Sequence, residues 1–245
     1  CVLASCRAGF SPARARDALV AGLVIGVALL AKVSAAVLVP PLLYRIAVAA
    51  PDRRAARRAG VLALGAATLV AGWWVVRNLV LYGEPLATTL HATLAGNLRP
   101  SWQPLALLRE WEGFVKSFWG VFGAFNVIYP EAVYRGFFIL TAVGAASTLV
   151  LLVRPGIGRD PRVRALALLV ACNVLAVAAW TSRLLGSQGR LLFPSLPAIA
   201  VLAALSVASW PPHARRAVRI GAVLFLAAAA AWASLVLIPA AYAPP

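Results

Sequence analysis

Long apolar runs divide this chain, and short segments rich in arginine lie between them. That alternation constrains the fold more than any motif does. A run of about 20 apolar residues forms a helix that crosses a hydrocarbon core about 30 Å thick, at about 1.5 Å of rise per residue. Five runs qualify: Gly60–Leu81, Gly136–Val153, Val163–Ser182, Leu191–Trp210 and Ala217–Pro239. A sixth region, Ala18–Ala50, is too long for one upright span and short for two. Composition agrees, because 62% of residues are apolar and 12% charged, where a soluble domain carries about a quarter charged residues. The expected fold class is all-α. It is a polytopic transmembrane helix bundle, with about seven spans if the sixth region is a short hairpin, and with an interfacial amphipathic helix. Residues 1–245 read as a single transmembrane domain, with 82–134 as an extracytoplasmic segment inside it.

The formal charge of +16 is a topology signal. Its arginines sit at the ends of apolar runs, so nucleic acid is not an expected partner. Lys and Arg near span ends favour the cytoplasm. Three basic loops stand out: Arg53, Arg54, Arg57 and Arg58; Arg154, Arg159, Arg162 and Arg164; and Arg215, Arg216 and Arg219. An even number of spans separates each from the next, so all three fit on the cytoplasmic side of a plasma membrane. Arg7, Arg14 and Arg16 join them only if Ala18–Ala50 crosses twice, turning near Lys32–Ser34. The other reading is one span ending near Val39, broken by Pro40 and Pro41. The outside face then holds the Lys32 turn, Tyr82–Tyr134, the loop Arg183–Arg190 and the C-terminal tail. Within Tyr82–Tyr134, Leu105, Leu108, Trp111, Val115, Phe118 and Phe122 recur at helical spacing, while Arg109, Glu112 and Lys116 lie off that stripe. This predicts a helix lying in the interface, with Trp102, Trp111 and Trp119 at headgroup depth. The same aromatics could equally pack on the bundle.

Cysteine and histidine add little. Cys1, Cys6 and Cys172 have no metal spacing and no disulfide pattern, and Cys172 lies in an apolar run as a small hydrophobe. His213 falls in a basic loop, and His91 stands alone outside. No metal or cofactor is expected, since the chain lacks a Gly-rich phosphate loop, a zinc spacing and a nucleophile elbow. The chain contains no Met and is expected to be part of a longer protein.

Some cations are not explained by orientation. Lys32 sits at the tip of a thin hairpin, between LLA and VSAA. A charge near the membrane centre costs about 2.5–3.5 kcal/mol on insertion scales, so such residues usually face a cavity or a partner; snorkelling to the surface is the alternative. Arg77 lies within its apolar run, after Trp73 and Trp74 and beside Asn78, with the same two readings. Arg183, Gln188 and Arg190 occupy an outside loop, where Gly186 and Gly189 permit tight turns. Pro194 and Pro197 then start the next helix irregularly. Cations at an outer leaflet suit a phosphate on a lipid, because Arg offers a bidentate fork and Lys a point charge. The outside acids Glu84 and Glu131 read as solvated loop carboxylates.

These same residues carry a resemblance. The stretch Gly22–Ser34 (GLVIGVALLAKVS) resembles the hairpin of class C, polyprenyl-phosphate-dependent glycosyltransferases, such as protein O-mannosyltransferase-like and lipid A aminoarabinose transferase-like proteins. Gln188–Ala198 (QGRLLFPSLPA) is similar to their later loop-to-helix motif. Trp73–Pro85 (WWVVRNLVLYGEP) and Phe118–Gly123 (FWGVFG) resemble a related uncharacterised bacterial membrane family. The resemblance runs from about Ala18 to Leu205 and covers the middle and C-terminal part of such proteins. It implies a polyprenyl-phosphate-linked sugar as donor and membrane lipid as surroundings. Lys32, Arg77, Asn78, Gln188 and Arg190 are the implied donor-binding residues. Lys32, Arg77 and Arg190 would stabilise the charge that grows as the glycosyl–phosphate bond breaks. The family's catalytic acid, which would deprotonate the acceptor, matches no segment here and is expected upstream of Cys1. Two other functions stand beside this one. The first is a non-catalytic protein that binds or translocates a polyprenyl lipid. The second is a transporter, which should show paired broken spans in two halves; the sequence shows no internal repeat.

Overall fold

The computed structural model describes residues 11, 13–94 and 97–243; Cys1, Cys6 and Arg7 lie outside them. In chain order the elements are α1 (Ala15–Ala31), a 3₁₀ stretch (Val33–Leu38), α2 (Val39–Ala49), α3 (Arg53–Tyr82), α4 (Thr88–Leu94), α5 (Ala106–Arg109) and α6 (Trp111–Trp119). A two-strand hairpin follows, β1 (Val121–Phe122) with β2 (Val127–Ile128). Then come α7 (Glu131–Val153), α8 (Pro161–Thr181), a 3₁₀ stretch (Gly189–Ser195), α9 (Leu196–Ala208), α10 (Pro212–Trp232), a π turn (Ala233–Leu237) and α11 (Ile238–Tyr242).

Five helical stretches are long and apolar enough to cross a membrane: Arg53–Tyr82, Glu131–Val153, Pro161–Thr181, Gly189–Ala208 and Pro212–Tyr242. Each contains most of one apolar run read from the sequence. Their outward faces are apolar, with Leu69 82%, Val80 79% and Val153 81% exposed. A soluble monomer rarely shows such continuous apolar surface; in a bilayer it is the lipid-facing side. The chain is a multi-pass, helical membrane protein.

The described residues form two compact units, 1–104 with 160–186, and 105–159 with 187–245. The first unit is built on α1 and α3. A Cβ on Gly22 would collide with the Ala63 carbonyl oxygen, and one on Gly26 would lie 2.7 Å from Val70 Cβ and 3.0 Å from the Ala67 oxygen. Small residues four apart let two membrane helices approach this closely. The register also fixes direction. Gly22 meets Ala63 and Gly26 meets Ala67, so α1 and α3 run parallel.

That direction requires a return limb between them, and the region Ala18–Ala50 provides it. α1 stops at Lys32, whose backbone is extended (φ −159°, ψ 121°). A Cβ on Gly60 would lie 3.7 Å from Leu43 Cδ2 of α2, and the register places Leu19 of α1 beside Gly60. α2 has thus come back to the level where α1 began. From Leu19 to Lys32 the climb is about 20 Å at about 1.5 Å per residue. The six residues Val33–Leu38 rise about 2.0 Å each as a 3₁₀ stretch, so the shorter return limb covers about the same distance. Ala18, Ala21, Ile25, Leu42, Ile46, Ala59, Ala63 and Ala67 form the buried core of this trio. Arg14 and Arg16 therefore lie at the same end of the unit as Arg53–Arg58.

The second unit holds α5, α6, the hairpin, α7, α9, α10 and α11. Its centre is aromatic. Trp119 stacks on Phe137 (centroids 4.9 Å, planes 8° apart), and its indole nitrogen donates to Thr141 Oγ1 at 2.8 Å. Buried Tyr134 donates to the Gly120 carbonyl at 2.7 Å, and Tyr129 donates to the Ala229 carbonyl of α10 at 2.9 Å. The expected continuous helix over Leu105–Phe122 is not what forms. Glu110 leaves helical geometry between α5 and α6, and Gly120 (φ 166°, ψ 106°) is extended, which releases Val121 and Phe122 into the hairpin. A Cβ on Gly120 would stand 2.7 Å from the Tyr129 ring, so the aromatic cluster fixes the end of α6. Leu105, Leu108 and Trp111 stay exposed, while Val115 and Phe118 are half-buried.

Candidate functional site

In the first unit the predicted cations lie at one end of the parallel pair. Lys32 is exposed at the break after α1. Extending the register puts it level with Trp73, and Arg77 stands about one turn, or about 6 Å, further along α3. Arg77 is exposed and Asn78 is 2% exposed. Their side chains touch, Arg77 Nη1 donating to Asn78 Oδ1 at 3.4 Å, and the guanidinium lies 6.0 Å from the Tyr82 ring centroid. Asn78 Nδ2 in turn donates to the Pro85 carbonyl at 3.3 Å. This folds the chain back after Gly83, whose left-handed backbone (φ 68°) ends α3.

The chain that Asn78 tethers is the wall of a cavity in the same unit. Its volume is about 600 Å³, and Leu86, Thr88 and Thr89 line one side while Ala176, Ala179 and Trp180 of α8 line another. Glu84 Oε2 accepts from the Thr89 amide at 3.0 Å and holds the start of α4. A short antiparallel bridge closes the mouth, pairing Leu98 with Leu184. The Arg99 amide donates to the Arg183 carbonyl at 2.9 Å, and the Leu185 amide to the Asn97 carbonyl at 2.7 Å. Arg99 Nε donates to the carbonyls of Thr181 (2.7 Å) and Leu184 (3.0 Å). A cation at the carboxyl end of α8 meets the negative end of the helix dipole. Trp102 Nε1 donates to Ser182 Oγ at 3.1 Å.

In the second unit Gln188 and Arg190 meet each other. Arg190 Nε donates to Gln188 Oε1 at 2.7 Å, and the guanidinium lies 5.1 Å from the Phe125 ring centroid. Their loop is pinned to α6. Ser187 donates to Glu110 Oε2 through Oγ (2.6 Å) and its amide (3.2 Å), and the Gly189 amide donates to Ser117 Oγ at 2.8 Å. A Cβ on Gly189 would collide with the Phe114 carbonyl oxygen and stand 2.6 Å from Phe118 Cβ. Gly189 therefore serves a close approach between loop and helix.

No family model, no curated protein and no solved structure matches the chain.

The five predicted residues thus form two local groups, Lys32, Arg77 and Asn78 in one unit and Gln188 with Arg190 in the other. All seven acidic residues of the chain accept from a donor within the structure. Asp17, Asp52 and Asp160 accept backbone amides near helix starts, Glu84 and Glu110 accept as above, and Glu112 and Glu131 both bind Lys116, at 2.7 and 2.9 Å. Those two carboxylates raise the Lys116 pKa above its usual 10.5, the Glu112 hydrogen bond contributing most. Arg99 and the α4 wall were not singled out from sequence. The role of Arg99 at the mouth has no local signal, because the carbonyls its Nε reaches lie 82 and 85 residues away.

Proposed function

We propose that this chain is the membrane part of a glycosyltransferase that uses a polyprenyl-phosphate-linked sugar on the extracytoplasmic face of a plasma membrane. One observation supports the reading above the others. Lys32 and Arg77, from two separate segments, lie within about a helical turn of the same level on parallel helices, and buried Asn78 fixes the backbone beside them. Lys32 supplies a point charge and Arg77 a fork for one phosphate group. Gln188 and Arg190 are proposed as donor-binding on the strength of the motif QGRLLFPSLPA. The phosphate is the leaving group, so cations that bind it more tightly as it departs lower the barrier.

A second reading has its own support. Every carboxylate of the chain already accepts a hydrogen bond or ion pair, Glu84 and Glu131 included. That favours a protein that binds or moves a polyprenyl lipid without transferring its sugar. Donor binding is common to both readings and transfer separates them. Arg77→Ala, and independently Arg190→Ala, in the full-length protein should weaken polyprenyl-phosphate binding about ten- to a hundred-fold, since a charge-assisted hydrogen bond is worth about 1.5–3 kcal/mol. Unchanged affinity removes that residue from the site. Binding without release of polyprenyl phosphate from a labelled donor selects the second reading.

The orientation proposed for the membrane places Arg53–Arg58, Arg154–Arg164 and Arg215–Arg219 in the cytoplasm. The parallel course of α1 and α3, with Arg14 and Arg16 at the Arg53 end, supports it. A cysteine placed in any of the three loops should resist an impermeant thiol reagent in intact cells, while one in 82–134 reacts. Labelling of a basic loop overturns the orientation.

A further inference from the structure

The cavity between α4 and α8 is not needed by the proposed transfer, and its chemistry points to a different ligand. Three residues of one α8 face, Ala176, Ala179 and Trp180, lead to its mouth at helical spacing, and Arg183 follows just beyond the end of the helix. The three helical residues span about 6 Å along the axis. They belong to a helix long and apolar enough to cross a membrane. A second cavity of about 360 Å³ adjoins the first, sharing Leu98, Trp102 and Arg183 and adding Arg99. The antiparallel bridge sets Arg99 directly opposite Arg183. Like charges opposed across a strand pair destabilise it. Here both line the same cavity, and among the described residues no acid lines either cavity. Arg99 is committed through Nε to two carbonyls and through Nη1 to Gln103 Oε1 at 3.4 Å. Arg183 is exposed and makes no side-chain hydrogen bond or ion pair among the described residues.

We infer that this cavity binds an anionic bilayer phospholipid, its phosphodiester between Arg99 and Arg183 and an acyl chain along the Ala176–Trp180 face of α8. Arg183 offers a forked donor to phosphate oxygens and Arg99 adds its positive charge beside it, and Thr88 and Thr89 also line the cavity. The apolar wall selects a lipid over a soluble anion. The rim indoles Trp102 and Trp180 are the residue type that settles at headgroup depth. The absence of an acid on the lining leaves a choline or ethanolamine ammonium without a partner, so the charge pattern selects an anionic headgroup. This inference does not rest on glycosyl transfer and stands if that reading fails.

The test uses the full chain reconstituted in liposomes, with tryptophan fluorescence quenched by brominated acyl chains. Brominated phosphatidylglycerol diluted into phosphatidylcholine should quench a saturable fraction that brominated phosphatidylcholine at equal density does not. Trp102→Phe should remove much of that fraction. Arg183→Gln should shift its half-saturation to at least ten-fold more phosphatidylglycerol, and Arg183→Lys should restore part of it. Arg183→Gln leaves every hydrogen bond named at the mouth in place, because none of them uses the Arg183 side chain. Equal quenching by the two lipids, or an Arg183→Gln curve that overlies the parent, overturns the site. Full competition by millimolar glycerol phosphate would show a site for a soluble anion and overturn the lipid assignment.

Discussion

Lys116 and Lys32 each present an ammonium group, and the molecule treats them in opposite ways. Lys116 is held by Glu112 at 2.7 Å and Glu131 at 2.9 Å, with its nitrogen 5.1 Å from the Tyr134 ring centroid. Two anions and an aromatic face satisfy it within its own unit. Lys32 lies exposed where α1 breaks, with no side-chain hydrogen bond or ion pair among the described residues. The difference separates a cation that fastens helices from one left facing outward, which we propose serves a ligand. The i,i+4 spacing of Glu112 and Lys116 announces a fastener in the sequence. An ammonium at the tip of an apolar hairpin announces the other kind.

The comparison breaks most sharply under paired substitution. Lys32→Met should weaken polyprenyl-phosphate binding about ten- to a hundred-fold and leave the thermal midpoint in detergent unchanged. Lys116→Met should do the reverse. Affinity should hold, and stability should fall by about 1 kcal/mol, as befits a partly exposed ion-pair network. Ligand titration and thermal unfolding followed by tryptophan fluorescence measure the two quantities. A Lys32→Met protein that is destabilised but binds normally would make Lys32 structural and end the contrast.

What could be read from the sequence follows from what acts locally. A run such as Val163–Ser182 specifies a helix by itself, because lipid supplies no other partner for its backbone. The break at Lys32 was legible for the same reason: the region is too long for one span and carries a charge where a turn belongs. The pairing of Asn97–Arg99 with Arg183–Leu185 was not legible. It joins segments more than eighty residues apart through backbone groups, which leave no periodic trace. The apolar spacing continues to Phe122, whereas α6 ends at Trp119 because Gly120 departs from the helix against the Tyr129 ring. Tertiary packing overrode a sound local pattern there. The proposed donor-binding residues sit between these extremes. Arg77 and Asn78 are neighbours, so their contact was implicit; the level shared by Lys32 and Arg77 needed the glycine register of α1 on α3.

The smallest effect expected from the comparison is a dependence of stability on alkaline pH. Lys116 has its pKa raised in the folded chain, chiefly by the Glu112 hydrogen bond and then by Glu131. The folded state therefore holds this proton more tightly than the unfolded state does. The resulting stability is fully present below the unfolded value of 10.5 and is lost as pH rises through the higher folded value. Burial raises the Tyr129 hydroxyl in the same direction. A phenol that resists ionisation when folded also contributes stability that disappears at high pH, so the two groups overlap in one window. Substitution separates them. Unfolding midpoints taken from about pH 8 to about pH 12 should be flat at first and then fall in the parent. The gap between parent and Lys116→Met should stay constant up to about pH 10 and close above it. Tyr129→Phe should keep that closing gap while flattening part of the parent's fall. A gap that closes instead between about pH 4 and 6, where carboxylates titrate, would move the controlling proton from Lys116 to its partners Glu112 and Glu131.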